Sequence, residues 1–170
     1  MTVALAEERR QTAHHEAGHA VAVLSRGEGE LKSVTIEPTA EYAGHTGFRS
    51  KVFDSAFIAY AGPWAEARCQ WPDNLGLDAH DEEGLTFDDY VASAWLRNPD
   101  DLADYKASCA ADVTAFGYPA HLVELREESW ARELEDRWPV IRQIAELLLC
   151  GPVGADEIQA AILAAEGDAG

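Results

Sequence analysis

No stretch of this 170-residue sequence approaches the roughly 20 consecutive apolar residues that a membrane helix needs. The best candidate, "IAELLLC" at 144–150, is short and is interrupted by Glu146. No leader is visible either, because "MTVALAEERR" puts acidic and basic residues where an apolar run would have to lie. Cysteine is scarce. Cys69, Cys109 and Cys150 are odd in number and widely separated, which argues against a disulfide framework and a four-cysteine zinc site. They read as free thiols in a reducing cytoplasm. Basic residues are few: 13 Lys and Arg face 31 Asp and Glu, for a formal net charge of -18. Such a surface repels nucleic-acid phosphates and anionic lipids, so neither nucleic acid nor membrane is an expected partner. Repeats and low-complexity linkers are lacking, as is the glycine-rich G-x-x-x-x-G-K-[ST] loop of nucleotide-hydrolysing proteins.

What is present is an ordinary globular balance, with 47% hydrophobic and 26% charged residues, over a length that suits one domain, 1–170. Residues 5–25 read as a helix, with Gly27 available as a left-handed cap. "LKSVTIEP", 31–38, alternates as a strand closed by Pro38, and "GHTGFRS", 44–50, has the glycines of a turn and a returning strand. Residues 54–70 read as a helix with a kink or break at Gly62-Pro63, because an interior proline costs about 3 kcal/mol. A loop covers 71–84. Helices follow from Thr86 to Arg97 and from Asn98-Pro99 to Gly117. Two more, split or bent at Pro139, cover "PAHLVELREESWARELEDRW" and "PVIRQIAELLLCG", and "ADEIQAAILAAEG" closes the chain. The fold class is mainly α (α+β), with a small β-hairpin after the first helix. The five tryptophans, 64, 71, 95, 130 and 138, read as core and seam residues.

The chemistry-bearing stretch is "TAHHEAGHAVAVL", 12–24. His15-Glu16-Ala17-Gly18-His19 is an H-E-x-x-H run on a helix, where residues four apart share a face and both imidazoles can point at one ion. Zinc held there lowers the pKa of water and polarises a peptide carbonyl, and Glu16 beside it takes the proton. Given the His and Glu content, one such run by accident is about a 2 % event. Ala13, Ala17, Ala20, Val21 and Leu24 give the same helix an apolar side. A polar stripe entering so tightly packable a helix suggests a buried site.

With its flanks, "TAHHEAGHAVAVL" followed by "VTIEP" and "GHTGF" resembles the peptidase domain of the FtsH-type zinc metalloproteases. "AYAGPWAEA", 59–67, an acidic pair opening "TFDDYVASAWL", and the C-terminal "IRQIAELLL…GADEIQAAI" follow in the family's order, so the resemblance covers about residues 10–163. It implies a zinc (Zn2+) endopeptidase acting on peptide or unfolded-protein substrate, with His15 and His19 as ligands and Glu16 as general base. The family's third ligand is an aspartate in a pattern like N-D-L-x-x-A. Aligning "DDY" on it favours Asp89, with Tyr90 in the apolar slot, and aligning on Ala92 selects Asp88 instead. Capping explains this pair without a metal: Thr86 as N-cap and Asp89 three residues on form a capping box, and both acids suit the positive end of the helix dipole.

Of the remaining candidates, Glu66 falls where the family has a glutamate and could orient a zinc-bound histidine or lie on a helix surface. His14 points about 100° away from His15 and reads as a neighbour of the site or a surface residue. His45 lies on the substrate-side turn, His80 is the alternative third ligand, and His121 is structural. The family carries a membrane anchor and an ATPase module that this sequence does not show. The expectation is therefore an ATP-independent, stand-alone peptidase whose substrates are unfolded, small or brought by a delivery partner. Its oligomeric state is left open. Substrate would add by edge pairing to "SVTIEP" or "GHTGF". Two other readings stand beside it: a regulatory protease of narrow specificity, and a non-catalytic helical binding module with a structural zinc whose fourth position is filled by protein.

Overall fold

Alanine and glycine let helices approach closely, and the first helix exploits this. The computed structural model describes residues 3–26, 29–38, 44–51, 54–117 and 122–168. Helix α1 (Val3–Ser25) buries every residue from Ala13 to Val23. It packs most extensively on α2 (Ser55–Gln70) and next on α6 (Trp138–Cys150). Gly18 makes the first crossing possible: a Cβ there would lie 2.4 Å from the Ala61 carbonyl oxygen and 2.8 Å from the Ala65 Cβ. Helix α2 runs unbroken through Pro63, so of the kink or break expected there the break does not occur. It is buried from Ala56 to Cys69, and each large apolar side chain so buried contributes about 1.5–3 kcal/mol, enough to outweigh the proline.

Between them, β1 (Glu30–Thr35) and β2 (His45–Arg49) pair antiparallel, with Val34 opposite Thr46 and an irregularity between Leu31 and Ser33. β1 therefore ends before Pro38. The outer side of β1 is met by an isolated bridge from Val153 to Val34.

Helix α3 (Phe87–Arg97) starts at a capping box, in which Thr86 accepts from the Asp89 backbone and the Asp89 side chain accepts from the Thr86 backbone. Helix α4 (Pro99–Phe116) has proline in its first turn and ends on Gly117, whose φ of 66° is left-handed. Helices α5 (Leu122–Asp136) and α6 divide at Arg137, two residues ahead of Pro139. Pro139 lies in the first turn of α6, where its missing N–H is not needed. Helix α7 (Ala155–Asp168) closes the chain.

The expected class is observed, with a small two-stranded antiparallel sheet directly after the H-E-x-x-H helix of a mainly helical chain. One cluster of buried side chains joins α1, α2, α6 and α7, with Trp64, Ile141, Ile144, Leu148 and Ile158 fully enclosed. Trp71, Trp130 and Trp138 are also buried, and Trp95 packs against the cluster. Among the described residues, no helix is long and apolar enough to cross a membrane. The proposed cap at Gly27 lies outside the described residues.

Candidate metal centre

Helical spacing brings His15 and His19 together. Both are buried, their rings meet edge to face at 4.7 Å, and their Nε2 atoms are 3.0 Å apart. The space they occupy exists because position 62 has no side chain: a Cβ on Gly62 would lie 2.4 Å from His19 Nε2 and 2.9 Å from His15 Nε2. Gly62 thus belongs to the site, although the sequence marks it only as the neighbour of a proline.

The acid that meets the two rings is Asp101, in the first turn of α4. Its Oδ2 lies 2.9 Å from His15 Nε2 and its Oδ1 lies 3.5 Å from His19 Nε2. Asp89, favoured from the sequence, is not brought there. Its carboxylate closes the capping box on Thr86, accepting from the backbone at 2.8 Å and from the hydroxyl at 2.7 Å, on an exposed helix start. Hydrogen bonds from Thr86 hold the Asp89 carboxyl below its ordinary range. Asp88 is exposed beside it. A signal for Asp101 was present in the sequence: Asp100-Asp101-Leu102 offers the N-D-L pattern a true apolar third residue, where Asp88-Asp89-Tyr90 offers a tyrosine.

Hydrogen bonding fixes the character of the converging atoms. His19 Nδ1 donates to the Ile58 carbonyl at 2.7 Å, and His15 Nδ1 donates to Glu66 Oε2 at 3.1 Å. With both Nδ1 atoms acting as donors, both Nε2 atoms are left with lone pairs, facing each other and a carboxylate. Three electron-rich groups at these separations require a positive charge between them. The separations of 2.9–3.5 Å compare with about 3.3 Å for the edge of a tetrahedron whose corners lie 2.0–2.1 Å from a zinc ion. The residues therefore fit a zinc-like cation in both chemistry and spacing. A proton can take the same place. Burial opposes a charge on His15, but hydrogen bonds to Asp101 and Glu66 outweigh it and push the imidazole pKa up to about 10. Burial likewise works to raise Asp101, and the two histidines overcome it, holding that carboxyl well below its usual range.

Around this centre, Glu66 has the orienting position that the sequence left open. It is buried in α2 and accepts from Arg97 Nε at 2.7 Å and from Asn98 Nδ2 at 2.7 Å as well as from His15. The sequence marks Arg97 and Asn98 only as a helix end and a helix start, and nothing in it ties either to this site. Burial raises the Glu66 pKa, and the pull of His15 and Arg97 exceeds it and lowers the value overall. Glu16 is buried on α1 next to His15, and its Oε2 accepts from Thr46 Oγ1 of β2 at 2.6 Å. Gly44 lets the chain pass over it, since a Cβ there would lie 2.8 Å from Glu16 Oε1.

The other histidines stand apart. His14 is buried rather than at the surface. Its Nδ1 donates to the Arg10 carbonyl at 2.8 Å, its ring lies 5.5 Å from that of Trp138, and burial lowers its pKa. His45 is exposed in β2, opposite Thr35. His80 is exposed, forms a backbone bridge with Thr86, and is not among the converging ligands. His121 lies outside the described residues. No protein-family model matches this chain and no curated protein matches it, so the functional reading rests on the arrangement of His15, Glu16, His19 and Asp101.

Proposed function

We propose that this protein is a zinc-dependent, ATP-independent endopeptidase of the FtsH peptidase type, cleaving unfolded or partner-delivered proteins. The observation that carries the reading is the convergence of His15 Nε2, His19 Nε2 and the Asp101 carboxylate, with Glu16 on the same helix. A zinc ion held by these three supplies Lewis acidity toward water and the scissile carbonyl. Glu16 would take the proton of the attacking water and pass it to the amine nitrogen that leaves as the peptide bond breaks. Thr46 engages Oε2 and fixes the carboxylate of the base. Glu66 and the Ile58 carbonyl hold the two imidazoles in the tautomer that presents Nε2.

Three protein ligands rather than four converge among the described residues. This favours a catalytic centre with an open position over a closed structural site. Substrate is best placed along β2. That strand carries Thr46, which touches the base, whereas the outer side of β1 is met by Val153. Pairing through the main chain fixes the peptide but reads few side chains, which favours broad over narrow specificity. The three free cysteines suit a reducing cytoplasm.

The direct test is Glu16→Gln. The variant should bind one zinc per chain, as the parent does, yet fail to cleave casein. Cleavage at the parent rate would remove Glu16 from the chemistry, and failure of a chelator to stop the parent would remove the metal.

A further inference from the structure

Glu66 is a buried carboxylate, and its three partners arrive from two directions. One is His15 of α1. The other two, Arg97 and Asn98, are consecutive residues at the junction of α3 with α4. Arg97 is anchored at its far side by Nη1 donating to Ser93 Oγ at 2.9 Å, and Asn98 Nδ2 donates also to the Ala94 carbonyl at 2.9 Å. Asn98 is the single residue between the two helices. Its backbone N–H closes α3 on the carbonyls of Ala94 and Trp95, and its own carbonyl accepts from Leu102 N at 3.1 Å in the first turn of α4. Asp101 belongs to that same turn.

We propose that Arg97 and Asn98 are positioning residues for the metal centre. By gripping Glu66 they set the His15 ring and the approach of Asp101 in one operation. This rests on the metal-centre reading and adds to it, because neither residue is itself among the converging ligands. An ordinary exposed ion pair would leave metal binding unchanged. Here the acid is buried and hydrogen-bonded to a ligand, so loss of its cation reaches the ion through His15. The directed Nε–H of a guanidinium fits the carboxylate in a way that a lysine ammonium does not.

The test is a cycle of cobalt(II) titrations followed by visible absorption, on the full chain, with the parent, Arg97→Ala, Arg97→Lys, Glu66→Gln and Arg97→Ala/Glu66→Gln. Arg97→Ala should weaken cobalt binding about 10- to 100-fold and shift the ligand-field bands, and Arg97→Lys should recover part of the loss. In the Glu66→Gln background the same Arg97→Ala change should matter less than about twofold. Parent-like affinity in Arg97→Ala, or an equal loss in both backgrounds, overturns the inference. Circular dichroism checks folding. Should Arg97→Ala unfold, Arg97→Lys carries the same cycle. A folded parent that takes up no cobalt is a different result, which overturns the metal centre itself.

Discussion

At the scale of single residues, Gly62 carries more than its lack of a side chain suggests. A methyl group at this position would press on both Nε2 atoms, at 2.4 and 2.9 Å from its carbon. The backbone is helical and accepts alanine, so Gly62→Ala should keep its circular dichroism while binding zinc at least about 10-fold more weakly, measured by competition with a chromophoric chelator. His15, Glu16 and His19 were legible in the sequence because one helical turn is a local relation. Glu66 was half legible, by its position in a resemblance. Arg97, Asn98, Thr46 and Gly62 were not, because each acquires its role from a neighbour more than 25 positions away.

At the scale of elements, two helices begin with a pair of aspartates, α3 with Asp88-Asp89 and α4 with Asp100-Asp101. Acids at a helix start are stabilised by the dipole whether or not they bind anything. Which start faces the histidines is a matter of packing, and α4 lies against α2 beside His15 whereas Asp89 turns back on Thr86. The two roles separate experimentally. Asp89→Ala should lower Tm slightly with full zinc content, and Asp101→Ala should abolish stoichiometric zinc, both read by metal analysis of purified protein. Helix and strand positions were otherwise legible from periodicity and caps. The exceptions were the prolines: burial carries α2 through Pro63, and the division at Arg137 precedes Pro139.

At the scale of the whole molecule, the centre joins charges from α1, α2 and α4, and it links stability to pH in opposite senses. In the metal-free protein the His15 pKa is raised to about 10. Its stabilisation is thus complete below its unfolded value of about 6.5 and is lost as pH rises through the folded value. Asp101 and Glu66 are lowered, so theirs is present above the unfolded carboxylate range, about pH 4, and is lost as pH falls. Urea midpoints of the metal-free chain should peak between about pH 5 and 6.5 and decline on both sides. Zinc must displace the His15 proton, so its affinity should climb by up to about tenfold per pH unit between pH 6.5 and 9, with proton release visible by calorimetry. The mainly helical fold was legible at this scale, and the meeting of Asp101 with His15, 86 positions apart, was not. With Asn98 as the sole spacer between α3 and α4, the linkage has no slack. One alanine inserted before Asp100 would swing the carboxylate by about 100° about its helix axis relative to Asn98. The proposed third ligand is thus selected by arithmetic along the chain as much as by its acidity, and drift in length at this joint is less tolerable than drift in composition.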